Sequence, residues 1–330
     1  MLKFKNYFLS ILFLAFIVSS CEKDEKTVNE ALVLQEYLES VESPLMKDYV
    51  NTDLPAIMTA TDLKTLNETD QVYIIDIRAE ADFAAGHIEN AHNVTVADVL
   101  THIEAVDLTP YTKVAIVCYS GQTAGFVTTL LRVMGYDKAF ALKWGMSSWH
   151  SQFASGWKSA IAVGNAYATQ FVSTATEKGA AGELPVLSTG FTTGSDILEA
   201  RVNALLAEGF DPAKVTKQSV WDNLANYYIV NYWPATQYTD PGHIPGAIQY
   251  TPKESIKLAL DLKTLPTDKT IAVYCYTGQT SAALVAYLRL LGYDAKSILY
   301  GTNGMIYDIM VTKSMTTFSD SQIMGYYFVN

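Results

Sequence analysis

The sequence has 330 residues, 49% of them hydrophobic and 17% charged, which excludes a disordered chain and allows about two domains with separate cores. The formal net charge of -11, without any basic run, argues against a nucleic-acid partner, because phosphate contacts need clustered Lys and Arg. Only three cysteines are present.

At the amino terminus Lys3 and Lys5 precede an apolar run over 8–18, too short to span a bilayer comfortably and the right size for a signal-peptide core. It ends in Val18-Ser19-Ser20-Cys21, which resembles the lipobox of bacterial lipoproteins. That resemblance implies a signal peptide over 1–20 and a lipid on the Cys21 thiol, hence a membrane partner. The charged stretch Glu22–Lys26 suits a solvated tether and is similar to the export signal of surface lipoproteins. The expected location is therefore the outer membrane or cell surface of a bacterium, with a periplasm-facing lipoprotein as the alternative. Val28, Ala31, Leu32, Gln35, Leu38 and Val41 have helical spacing, so 21–43 is read as lipidated Cys, tether and leading helix.

The first unit, 44–160, carries two strand-length apolar runs. Val72–Ile77 leads into Arg78, and Lys113–Cys118 is β-branched and nearly continuous, the pattern of a strand buried on both faces of a parallel sheet. Cys118 ends that strand. Ser120-Gly121-Gln122-Thr123 then opens an amphipathic helix that stops at Gly135. The stretch Ser151–Gly194 is rich in Ala, Gly, Ser and Thr and reads as a connection, with the linker placed at 161–194 and Tyr167–Thr174 packing on a neighbour. A helix is predicted over Asp196–Gly209, with Asp196 and Glu199 as its capping box, and Asp211-Pro212 starts another. It leads the second unit, 195–330.

CYSGQTAGFVTTLLRVMGYD at 118–137 recurs without a gap as CYTGQTSAALVAYLRLLGYD at 275–294. The chain is a tandem repeat. Cys275 ends its own buried run, Thr270–Tyr274, so each cysteine faces a helix amino terminus. Unpaired N–H groups and the helix dipole there favour a thiolate and can cradle an anion. A disulfide would require equivalent positions of two domains to meet face to face, and closely spaced metal ligands are lacking; neither disulfide nor metal is expected.

Strand, Cys-Tyr-Ser/Thr-Gly-Gln-Thr, helix, Gly-Tyr resembles the active-site loop of rhodanese-family sulfurtransferases. Asp76-Ile77-Arg78, Gly86-His87-Ile88, Gly242-His243-Ile244-Pro245-Gly246 and the turns Leu142–Met146 and Leu299–Gly304 resemble other parts of that family. The resemblance implies two tandem rhodanese-like α/β domains, each a mostly parallel sheet with helices on both faces. It implies sulfane-sulfur transfer through a cysteine persulfide, with Cys118 and Cys275 as nucleophiles and no cofactor. The cradles would be Tyr119, Ser120, Gly121, Gln122 and Thr123 in one unit and Tyr276, Thr277, Gly278, Gln279 and Thr280 in the other. The partners would be a small sulfur-donor anion or polysulfide and a thiol or cyanide-like acceptor.

The loops depart from the family in carrying no charge, and Asn231-Tyr232-Trp233 replaces Asp-x-Arg in unit 2, so that pocket should be less cationic. Cys118 is expected to be the more active site. Arg78 is either a substrate contact or a structural ion pair with Asp82; Arg132 and Arg289 sit late in helices and read as structural. Tyr119 and Tyr276 should line the pockets.

Three other readings stay open. Related phosphatases and arsenate reductases end a longer loop in Arg, whereas the sixth residue after each cysteine here is Ala124 or Ser281. His87 or His243 could activate a thiol as in proteases, although Gly-His-Ile reads better as a turn. A catalytically silent binding module anchored to the membrane is the alternative from another class.

Overall fold

The computed structural model describes residues 28–330. The expected signal peptide, Cys21 and the charged tether lie outside the described residues. Two five-stranded parallel sheets follow one another along the chain. The first comprises β1 (Ile57–Met58), β2 (Val72–Asp76), β3 (Ala91–Asn93), β4 (Lys113–Val117) and β5 (Ala139–Leu142), in the order β1-β5-β4-β2-β3. The second comprises β6 (Lys214–Val215), β7 (Tyr227–Asn231), β8 (Ile248–Gln249), β9 (Thr270–Tyr274) and β10 (Ala295–Ile298), in the same relative order.

The apolar runs explain which strands are central. Every residue of β2 is buried, and β4 and β9 are buried after their first residue, because helices cover both faces of a parallel sheet. Each cysteine follows the carboxyl end of its central strand, where an open parallel sheet places its ligands.

The two units are packed together. The loop helices Gln122–Val133 and Gln279–Leu290 lie against one another, and a Cβ on Gly125 would come 3.0 Å from the Gln279 carbonyl oxygen, so glycine permits the close approach. One buried cluster includes Phe126 and Leu130 from the first helix and Leu284 and Leu288 from the second. The leading helix Glu30–Glu39 is capped by Asn29, whose side chain accepts from the Leu32 N–H, and Gln35 accepts from Tyr287 Oη at 3.0 Å.

Each unit also lends the other a strap. Val172 and His243 exchange backbone hydrogen bonds of 2.9 Å in both directions, and Val329 and His87 do the same at 2.9 and 2.8 Å. The segment after the first sheet therefore crosses to the second unit, and the segment after the second crosses back.

Two local expectations are corrected. The helix Gly194–Glu208 is capped by Thr193, whose side chain accepts from the Asp196 N–H; Asp196 and Glu199 do not form the box, because the helix begins before them. The second concerns only the start of the Ala/Gly/Ser/Thr-rich stretch over 151–194: Ser155–Ile161, which lies almost entirely in the first unit as placed at 44–160, is helical rather than irregular, and its Trp157 is fully buried with Nε1 donating to Ser120 O at 3.2 Å.

Candidate functional site

The two cysteine loops have the same construction. Cys118 and Cys275 are buried and free, and each sits one residue beyond its strand. Gly121 and Gly278 adopt φ of +82° and +80° at the helix N-caps, a conformation glycine enters without strain. That turn points peptide N–H groups at sulfur. Gly121 N donates to Cys118 Sγ at 3.1 Å and Ala124 N at 3.4 Å; Gly278 N and Ser281 N reach Cys275 Sγ at 3.2 and 3.3 Å. The amides of Ala124 and Ser281, just beyond the predicted cradles, thus belong to them, and the first helical turn after each Gly-Gln-Thr was the signal that could have found them.

Burial competes with those donors. The Cys118 thiol is pushed up by burial, while the amides of Ala124, Ser120 and Gly121 pull it down and the Asp76 carboxylate adds to the rise. The expectation of a resting thiolate is therefore reversed at Cys118, where loss of water outweighs the helix terminus.

The loop side chains divide by role. Ser120 Oγ accepts from Gln122 Nε2, and Thr277 Oγ1 accepts from the Gln279 N–H. Thr123 and Thr280 are half-buried and form no side-chain hydrogen bond among the described residues. Gln122 and Gln279 point away from their own sulfur: Gln122 Oε1 accepts from Tyr300 N at 2.8 Å, and Gln279 Oε1 accepts from Trp144 N at 3.3 Å. Their side chains reach the other unit.

The mouths of the two sites differ. In the first, Arg78 is buried and its partner is Asp76, not Asp82: Nε donates to Oδ1 at 2.9 Å and Nη2 to Oδ2 at 2.6 Å. The strand end brings these two together, whereas Asp82 lies one helical turn away and hydrogen-bonds Tyr119. Nη2 also donates to Gly86 O at 2.8 Å, while buried Nη1 has no partner among the described residues. Burial opposes the guanidinium charge, but Asp76 holds its pKa above the ordinary value. The Arg78 guanidinium lies 5.0 Å from the Tyr119 ring and 5.4 Å from the Phe153 ring.

In the second site Asn231 Nδ2 donates to Tyr274 Oη at 2.8 Å, and that phenol accepts from Ile244 N at 3.3 Å. Trp233, fully buried, takes the place of Arg78 and lies 5.3 Å from the Tyr276 ring. Burial pushes the Tyr276 phenol up to about 12. An aromatic wall replaces a cation.

Neither His87 nor His243 hydrogen-bonds a cysteine sulfur among the described residues. His87 Nδ1 is 2.9 Å from Phe83 O and its ring stacks on Phe83; His243 bonds Tyr238 O and Thr174 O and stacks on Tyr238. Arg132 and Arg289 bond carbonyls beyond their helices, Ala139 O and Ala295 O, as structural groups do.

Two parallel α/β units each present a buried cysteine to two peptide N–H groups at a helix start. The rhodanese-like domain family matches residues 59–152 and 216–305, so the chain belongs to that family as a tandem member, and the curated relatives it matches include sulfurtransferases. It is similar to the thiosulfate sulfurtransferase GlpE of Shewanella oneidensis, 29% identical over 28% of this chain and 90% of that protein. Its similarity to the thiosulfate sulfurtransferase GlpE of Tolumonas auensis is 30% identity over 26% of this chain and 77% of the other. SseA of Escherichia coli, described as a 3-mercaptopyruvate sulfotransferase, aligns over 76% of this chain and 98% of its own at 17% identity and a TM-score of 0.28.

Proposed function

We propose that the chain moves sulfane sulfur through a persulfide on Cys118, on Cys275 or on both. The carrying observation is that two peptide N–H groups aim at each sulfur, at 3.1 to 3.4 Å. A cysteine thiolate attacks the sulfane sulfur of the donor; an S–S bond forms, the donor's own bond to that sulfur breaks, and the electron pair leaves with the remainder. The outer sulfur then carries the negative charge, which the cradle amides stabilise. A nucleophilic thiol or cyanide-like acceptor takes that sulfur and regenerates the thiolate.

The unlike mouths divide the donors. Arg78, with Nη1 free among the described residues, favours an anion such as thiosulfate at Cys118, and the Trp233 and Tyr276 wall favours a less charged sulfur carrier at Cys275. We place the protein at the cell envelope, tethered by a lipid on Cys21; the run over 8–18 and the sequence Val18-Ser19-Ser20-Cys21 support this, and metabolic palmitate labelling lost in Cys21→Ala tests it.

Intact-mass measurement after incubation with thiosulfate or polysulfide tests the transfer. A gain of one sulfur, absent from Cys118→Ala/Cys275→Ala, supports it. A protein that takes up no sulfur from either donor would favour the silent binding module, a reading to which the near-complete burial of both thiols, 5% and 3% exposed, lends support.

A further inference from the structure

We propose that each reactive loop is positioned by the glutamine of the other: Gln279 sets the Cys118 site and Gln122 sets the Cys275 site. The route is short and made of hydrogen bonds. Gln279 Oε1 accepts from Trp144 N at 3.3 Å, and Nε2 faces Leu142 O at 3.5 Å. The turn so held, with Trp144 at φ +65° and Gly145 at +60°, lies directly on the Cys118 loop. Met146 N donates to Cys118 O at 2.8 Å, while Ser147 N and Oγ donate to Tyr119 O at 3.2 and 2.9 Å.

The mirror path crosses through Oε1 alone, since Gln122 Nε2 donates to Ser120 Oγ of its own loop. Gln122 Oε1 accepts from Tyr300 N at 2.8 Å, where Tyr300 and Gly301 have φ of +62° and +51°. Thr302 N then donates to Cys275 O at 3.1 Å, and Asn303 N and Nδ2 donate to Tyr276 O at 3.0 and 2.7 Å. In both halves the cysteine's own carbonyl is the acceptor, so the orientation of the peptide units beneath the sulfur depends on the turn, and the turn depends on the opposite glutamine.

A second observation supports the crossing. A Cβ on Gly121 would run into the Gln279 amide, and one on Gly278 into the Gln122 amide. The glycines at the head of each cradle therefore leave room for the other unit's glutamine as well as permitting the turn. Gln122 and Gln279 are 2% and 1% exposed, so water does not substitute readily for these bonds. Both are positioning residues; neither touches sulfur.

This inference rests on the cysteines being the reacting groups, but its test does not require sulfur transfer. The rate of iodoacetamide alkylation at Cys118 and at Cys275 is measured separately, by peptide mass, as a function of pH. In Gln279→Met, which keeps the length and loses both hydrogen bonds, the Cys118 profile moves to higher pH and its neutral-pH rate falls about threefold, the scale of one lost hydrogen bond. Cys275 is unmoved. In Gln122→Met the neutral-pH rate at Cys275 falls likewise; because Gln122 Nε2 also bonds Ser120 Oγ of its own loop, Gln279→Met is the variant that isolates the crossing. Gln279→Asn, too short to reach Trp144, gives the same result should the Met variant fold poorly. Movement of only the cysteine in the mutated unit, or of both equally, overturns the proposal. Sulfur loading followed in the same samples separates the cases: crossed shifts without loading keep this inference and remove the transferase reading, and loading without crossed shifts does the reverse.

Discussion

Val329 pairs with His87 as Val172 pairs with His243, each pair exchanging two backbone hydrogen bonds between different halves of the molecule. The strap end is anchored by a side chain: the Phe328 ring sits 4.9 Å from that of His150 and 5.0 Å from that of Phe153, and a Cβ on Gly86 would run into it. Gly86 O receives Arg78 Nη2, so the strap supports the cationic mouth indirectly. Phe328→Ala should cost about 1–2 kcal/mol for a half-buried ring. Chemical denaturation checks the loss, and increased amide exchange at Gly86 and His87, with Gly242 and His243 unchanged, checks its location.

Arg78 and Asp76 form a buried pair whose members cannot be removed singly without harm. Arg78→Ala leaves the Asp76 carboxylate buried and uncompensated and should destabilise by about 3–5 kcal/mol. The double change Asp76→Asn/Arg78→Trp copies the second site, where Asn231 and Trp233 stand, and should fold better than the single. In it, loading of Cys118 from thiosulfate falls while loading from polysulfide persists. Equal loss with both donors would remove the assignment of Arg78 to the anion.

Cys118 links stability to pH. Its folded pKa lies above the free-thiol value because burial disfavours the thiolate, so the unfolded chain releases this proton first as pH rises. The contribution to stability is fully present below the unfolded pKa, about 8.5, and is lost as pH rises through the folded pKa. Denaturation midpoints should decline more steeply above about pH 8.5 in the wild type than in Cys118→Ser. Alkylation of Cys118 should likewise have its midpoint above that of free cysteine; a midpoint below would show that the amides outweigh burial.

Most of the architecture was legible because central parallel strands must be apolar throughout, and Val114–Val117 and Ile271–Tyr274 are. The repeat placed both cysteines at strand ends for the same reason. The rest depended on contacts across distance. Nothing near Gln122 in the sequence indicates Tyr300, and no local pattern separates a glutamine that binds substrate from one that bonds a neighbouring domain. Spacing offered Asp82 as the ion-pair partner of Arg78 beside a substrate contact, whereas the carboxylate two residues earlier turns back from the strand end to meet it. Helix-terminus electrostatics can be read from sequence, while the depth of burial that opposes it at Cys118 cannot.

Ser281 and Ala124 differ among the groups that contact sulfur. Ser281 Oγ lies 3.6 Å from Cys275 Sγ and 2.8 Å from Ser297 Oγ. In the resting thiol Cys275 Sγ donates to Ser281 Oγ, and Ser297 Oγ donates to Gly278 O at 3.4 Å; on ionisation, Ser297 turning from Gly278 O to Ser281 frees the Ser281 proton for the sulfur, a hydrogen bond that site 1 lacks because Ala124 has no hydroxyl. Ser281→Ala should therefore slow neutral-pH alkylation of Cys275 about threefold, the scale of one modest hydrogen bond. Ala124→Ser should lower the alkylation midpoint of Cys118 only if the hydroxyl finds a partner equivalent to Ser297. At the strand position facing it in site 1 the sequence has Ala141, so Ala124→Ser/Ala141→Ser is the variant expected to move Cys118 down, with Ala124→Ser alone moving it less. Should Ser281→Ala leave the Cys275 alkylation rate unchanged, the peptide N–H groups alone support the reactivity of that thiol.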